Sequence, residues 1–463
     1  MTESQKIKHL FSRAGFGFAP EEWERRRSVS VEQAVDHLFQ KAAQAKPVYS
    51  YNTMADMDDK KARNMSQAEK MKRREKERGL MIKQNAKWLA RMTDPAESAL
   101  LERMSLFWHD HFACITRFSH LAATQLETIR THALGKFEDL VLAIARDVSM
   151  IRFLNNQQNK KEQPNENFAR ELLELFTIGR GNYTEQDIKE AARAFTGWSS
   201  NLKGEFVFRK FQHDFGSKTF MGRTGDFNGE DIITIVLEQK ETARYITQKI
   251  YRYFVNEAVP AGRLESLSNQ FYQSGYDIGK LMRTIFTSDW FYAPENVGNK
   301  IKSPIELMAG MLRQLRGKVQ DNLALVVAQK ALGQVLFNPP NVAGWPGGKA
   351  WIDNSVLLLR LNLVGFLFEA AEVNFQLKGE ARSELSGKKL KKLDAVLDLK
   401  PIYAFTSGLD QPQTLDQLAE WLLPANSTWN ASLIQDFTIK QSNEQYVKSL
   451  LLRIMSLPEY QLC

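Results

Sequence analysis

Glu166, Arg170 and Glu174 stand four residues apart in the run "NENFARELLELFTIG" from Asn165 to Gly179. On a helix that spacing stacks them on one face, with a guanidinium between two carboxylates. Two chemistries fit. One is an ion-pair ladder in solvent. The other is a strip lining a polar cleft, with Arg170 fixing a carboxylate and the glutamates serving as acid and base. Eight helical residues separate the Cα atoms of Glu166 and Glu174 by roughly 12 Å, wider than the about 5–9.5 Å of a glycosidase pair. A catalytic carboxylate pair would therefore recruit Asp214 or Asp353. The preceding run, "NNQQN" at 155–159, is all side-chain amide. Amides both donate and accept, so Asn156, Gln157, Asn159 and Asn165 are candidates for holding a polyhydroxylated substrate, or for tying adjacent backbone together.

His213 and Asp214 lie in a glycine-rich stretch, where His213 could act as a general base oriented by Asp214. The alternative is simple hydrogen bonding at a hairpin end. "FWHDHF" invites a metal reading, but His109 and His111 are two apart. That is about 200° of helical rotation, so one ion cannot take both unless the helix ends near Trp108. In that case His213 and Asp214 would be the natural further ligands. Otherwise His111 continues the apolar stripe as a core histidine. No cofactor is expected, and a divalent metal is the exception at these three histidines. In "NPPNVAGWPGGKAW" (338–351), Trp345 could stack on a sugar or plug a core. Asp353 would cap the next helix.

These residues need a helical frame. The pattern predicts a mainly α protein, a large multi-helix array with one small β-hairpin insertion near 205–220. The helix carrying Glu166 is expected to open at Pro164, with Phe168, Leu172, Leu173 and Phe176 inward and Thr177 outward. Residues 1–375 read as the main domain, with a flexible basic segment at about 55–80. A linker follows at 376–395, then a C-terminal helical segment at 396–463 that packs on the main domain. Thr184 and Asp187 form a capping-box pattern.

The net charge of +8 is localised. Residues 60–78 hold nine Lys or Arg against three Glu, which is +6 and leaves about +2 elsewhere. That segment has no aromatic, which argues for a solvated helix or flap and against a nucleic-acid groove. No apolar run is long enough to span a membrane. Two cysteines without a CxxC spacing exclude a disulfide scaffold. The start has no apolar leader, so a cytoplasmic location is expected if Met1 is the native start. The oligomeric state is not legible.

Several blocks together carry a resemblance. "HLFSRAGFG", "MSLFWHDHFA", "NNQQNKKEQPNENFARELLELFTIGRGNYTEQDIKEAARAFTGW", "HDFGSKTFMG", "IKSPIEL" and "FNPPNVAGWPGGKAWID" run in order from residue 9 to about 365. With the closing "LPEYQ" they resemble the bacterial family called domain of unknown function 1800. The resemblance implies a largely α-helical fold and no settled activity. It implies export in many members, and a companion protein resembling the alkaline-phosphatase and sulfatase fold. Two functions are therefore expected. The first is an enzyme, a hydrolase acting on a polar carbohydrate-like, sulfated or phosphorylated substrate. The second is a non-catalytic binding or scaffold protein that assists such a companion.

Overall fold

Helices make up most of the chain in the computed structural model, which describes residues 1–49, 65–201, 203–368, 375–376, 389–390, 393–436, 438–439 and 441–463. The mainly α expectation holds. Among the described residues no helix is long and apolar enough to cross a membrane. The helices start where the sequence caps them. Ser30, Ser66, Thr184, Ser303 and Asp410 each close a capping box. Asp353 caps the helix Asn354–Leu367, with its carboxylate accepting from the Ser355 and Val356 amides.

The β structure differs from the single hairpin expected near 205–220. Among the described residues two hairpins occupy 198–225. Trp198–Ser200 pairs with Phe206–Phe208, and Lys218–Phe220 pairs with Arg223–Gly225. The alternating segment is broken in the middle by a turn of 3-10 helix at Lys210–Gln212. The second hairpin closes through Met221 and Gly222, both at positive φ, the backbone a tight two-residue turn requires. Two further two-residue pairings involve the expected linker: Ala395–Val396 at its end pairs with Lys318–Val319, and Phe375–Gln376 pairs with Lys389–Leu390. The rest of 376–395 lies largely outside the described residues. So does the basic segment up to residue 64; from Gln67 that segment is the first half of a 27-residue helix ending at Thr93.

One apolar core runs through the array and includes Trp23, Trp88, Trp108, Trp198 and Tyr460. Residues from both ends of the sequence meet in it. The Trp421 indole donates to the Phe18 carbonyl at 3.2 Å, and the Lys8 amine donates to the Glu420 carbonyl.

Buried ionic networks fasten helices to one another. In one, Glu102 on the helix Ala99–His111 is fully buried. It accepts from the Trp88 indole at 2.9 Å and from Arg130 Nη2 at 2.8 Å. Arg130 also pairs with Glu127, whose other oxygen accepts from the amides of Val48 and Tyr49. In another, Glu306 meets Arg103 Nη2 at 2.7 Å and Lys300 Nζ at 3.0 Å. Burial alone would raise the Glu306 carboxyl, but the charges of Arg103 and Lys300 pull it down to about 2.

A folded carboxyl held below its unfolded value stabilises the protein above the unfolded value. Here that contribution is present above about 4.5 and is lost as the pH falls toward 2. It amounts to roughly 3 kcal/mol. Glu306→Gln should therefore lower Tm at pH 7 and flatten the acid limb of the Tm-against-pH curve. An unchanged acid limb in the variant would show that other carboxyls drive acid unfolding.

Candidate functional site

The helix expected from Pro164 begins later, at Asn167, because Pro164 lies in the loop that the amide run organises. From Leu172 to Thr177 it widens into a π-helix. The extra residue per turn rotates Thr177 inward, where it is buried and donates to the Leu172 carbonyl at 2.6 Å, instead of outward as a regular wheel places it. The bulge also presents two carbonyls sideways. Phe176 O accepts from His111 Nε2 at 3.0 Å, and Leu175 O accepts from the Tyr245 hydroxyl at 3.1 Å.

Arg170 bridges Glu166 at 3.1 Å and Glu185 at 2.8 Å, and all three are at least one-third exposed. Glu174 faces a different way and binds Arg180 and the Tyr183 hydroxyl. The three residues thus form a surface ladder and a separate ion pair, not one convergent strip. Within the amide run, Asn156 and Asn159 are tied into the chain by hydrogen bonds. Asn156 and Asn159 are buried. The Asn159 amide donates to Asn156 Oδ1 and the Ala192 carbonyl, and its oxygen accepts from the Asn165 amide. Asn156 Nδ2 and Gln157 Oε1 are buried polar atoms without a partner.

His213 is buried, and its Nδ1 donates to the Thr196 carbonyl at 2.8 Å. Burial lowers its pKa. Asp214 pairs with Arg193 at 2.7 Å instead of with the imidazole. Burial would raise that carboxyl, but Arg193 and the Gly216 amide draw it below the usual range.

The helix Ala99–His111 runs through both histidines of "FWHDHF". His109, Asp110 and His111 therefore reach three different neighbours. His109 Nε2 accepts from the Phe337 amide at 3.1 Å, among the rings of Trp88, Phe337 and Trp345. Asp110 Oδ1 accepts from the Trp345 amide at 2.7 Å. His111 donates to Phe176 O and receives Lys249 Nζ on Nδ1 at 3.2 Å. Among the described residues no three His, Cys, Asp or Glu side chains are grouped as a metal site. Trp345 itself is buried. Gly344 has φ +83, and a Cβ there would collide with Asp110, so the tryptophan loop lies directly on this helix end.

Two assemblies emerge that the sequence reading did not single out. The first is a half-buried strip on the helix Lys240–Phe254, where Tyr245, Lys249 and Tyr253 recur every four residues. It faces His111, Asp110 and Arg103. Burial lowers the Lys249 amine to about 8 and raises the Asp110 carboxyl to about 6; each charge partly offsets the other's shift. Burial and Lys249 together hold His111 well below its usual value, so it is neutral.

The second is a cleft of about 910 Å³ between the first half of the helix Gln67–Thr93, the loop 116–118 and the loop 335–338. Among the described residues its wall carries Lys70, Arg73, Arg74, Arg78 and Arg117 against one carboxylate, Glu77. Glu77 is spent on the Ser119 amide at 2.8 Å, at the start of the next helix. The floor is apolar, with Met81, Ile82, Phe118, Val326, Leu336 and Phe337. Arg73 lies over the Phe118 ring at 5.9 Å. The readable signal was helical register: positions 70, 74, 77, 78, 81 and 85 fall on one side of a helix, so the basic run has a face.

The fold and these two assemblies define a mainly helical protein with a cationic cleft and a half-buried strip of Tyr245, Lys249 and Tyr253. Residues 9–462 match the family model described as "Protein of unknown function (DUF1800)", and the chain belongs to that family. No curated protein and no solved structure matches it.

Proposed function

We propose that this is a binding protein for a carbohydrate-like ligand carrying sulfate or phosphate groups, held in the cleft walled by the Gln67–Thr93 helix. The observation that carries the reading is charge against shape. Among the described residues Lys70, Arg73, Arg74 and Arg117 line the cleft with a single carboxylate, itself committed, over an apolar floor. Guanidinium groups suit sulfate and phosphate through paired N–H donors. The half-buried ring of Phe118 suits the apolar face of a sugar. Such a ligand is also what a phosphatase- or sulfatase-like companion would act on, and delivering it is the role this reading gives the protein. The test is thermal stabilisation by matched pairs of sulfated and desulfated saccharides. At a hundredfold excess over Kd a ligand stabilises by about 2.7 kcal/mol. Stabilisation by the sulfated members alone is expected; equal response to both members of each pair would sink the proposal.

A second reading, a hydrolase, rests on the strip instead. Asp110 and Lys249 are a carboxyl and an amine moved toward neutrality from opposite sides, the pattern of an acid–base pair. If the protein hydrolyses the ligand, Lys249→Met should cut kcat at least about a hundredfold, the range of general acid–base catalysis, and leave Kd within threefold. Loss of binding with intact turnover would remove the strip from the chemistry.

A further inference from the structure

Away from the cleft, three phenylalanines stand in solvent within eight residues. Phe208 is 39 %, Phe211 72 % and Phe215 64 % exposed. Single exposed apolar side chains are ordinary, but three on one short segment make a patch. The rings of Phe208 and Phe215 flank the buried His213 ring, at 5.1 and 4.7 Å, and Phe211 projects from the turn between them.

The backbone beneath them is fixed. Arg209 N donates to the Gly197 carbonyl at 2.8 Å, and Gly197 N donates to the Asn159 carbonyl at 3.0 Å. Lys161 N donates to the Gln212 carbonyl at 2.9 Å. Lys218 Nζ is buried and spans the Asp214 and Gly216 carbonyls at 2.7 and 2.9 Å. Gly197 has φ +82, and a Cβ there would come within 2.7 Å of the Arg209 carbonyl. The amide run at 155–159 and His213 thus serve as the base on which the phenylalanines are held out.

The rim is cationic. Lys160, Lys161, Arg209 and Lys210 lie in the two strands of chain that meet at the Lys161–Gln212 hydrogen bond. Of the acids nearby, exposed Glu162 lies 4.0 Å from Lys161 and offsets one rim charge, and Asp214 is paired with Arg193.

We propose that this patch docks the protein on an anionic phospholipid surface, with Phe211 and Phe215 entering the interface and the lysines meeting the headgroups. Rings that project this far need a partner that closes around them. A fluid bilayer does so without a preformed pocket, and its negative surface complements the lysine rim. The patch shares no residue with the lining of the cationic cleft and does not depend on what the cleft binds.

The test is co-sedimentation of the full chain with vesicles of phosphatidylglycerol and phosphatidylcholine, against phosphatidylcholine alone. Binding is expected only to the anionic vesicles and should weaken between 0.1 and 0.5 M salt. Phe211→Ser with Phe215→Ser should reduce it at least tenfold while the circular-dichroism melt is unchanged, since both side chains are exposed. Lys160→Glu with Lys210→Glu should do the same with the rings intact, which guards against a folding artefact in the first variant. Phe211→Trp should shift its emission to the blue on adding anionic vesicles. Three results would overturn the proposal: no binding at low salt, binding that survives the serine pair and so belongs to the cleft, or a patch-dependent dimer that does not bind vesicles.

Discussion

Reversing Arg74 and Arg117 to glutamate will remove sulfated-ligand binding while leaving the fold intact. Both side chains are exposed and lie on opposite walls of the cleft, one on the long helix and one on the loop after the "FWHDHF" helix. A hydrogen bond to a charged group contributes about 1.5–3 kcal/mol. Losing two such contacts, and adding two repulsions, should weaken the ligand by about 3 kcal/mol or more. That is at least about a hundredfold in Kd. Removing two of five cations should also flatten the salt dependence of binding, since fewer charges remain to be screened. Titration by calorimetry at two ionic strengths reads both effects. A variant that binds within threefold of the parent would show that the cationic wall does not hold the ligand.

The largest effect on stability should come from Glu102→Ala. This carboxylate has no solvent exposure, and it joins three helices by accepting from Trp88 and pairing with Arg130 and Arg91. Its loss leaves the Arg130 charge buried with only Glu127 against it, and leaves the Trp88 indole without its acceptor. Removing one partner of a buried pair costs about 3–5 kcal/mol, a large share of the about 5–15 kcal/mol that separates folded from unfolded protein. Glu102→Gln keeps an oxygen for the indole and should cost less. Denaturant midpoints measure the order: parent, then Gln, then Ala, with the m-value unchanged. The network also sets the cleft, because Trp88 sits on the cleft-wall helix and Arg130 on the helix that Glu77 caps. Equal midpoints for the three proteins would mean that the wall is positioned by apolar packing alone.

The elements were legible because their signals are local. Ser30, Thr184 and Asp353 announce helix starts by side-chain chemistry alone, and the apolar stripes fix the inward faces. Thr177 was not legible. A regular wheel places it outside, and only the packing of Phe176 against Phe112, with His111 bonded to the Phe176 carbonyl, accommodates the extra residue that turns it inward. The single hairpin near 205–220 became two because Lys210–Gln212 coils against the Asn159 segment, a contact between distant stretches that alternation cannot encode.

The site residues show the same division. Arg170 has its expected i, i+4 partner Glu166, yet its second partner, Glu185, comes from another helix. The amide run reads equally well as ligand site or backbone tie, and burial separates the two for Asn156 and Asn159. The cleft was half visible. The basic run at 60–78 stood out by composition, but its face mattered only once Arg117, Phe118 and Phe337 were folded opposite it. Asp110 and Lys249 carry no signal at all, since ordinary residues take shifted pKa values only through burial beside one another.

Hydrogen exchange with and without a sulfated saccharide is the most direct test of where the ligand sits. Exchange should slow in peptides covering residues 70–82 and 116–118, with 155–179 and 206–215 unchanged. Protection confined to 174–183 and 245–253, or no protection at the cleft wall under saturating ligand, would contradict a ligand in the cleft.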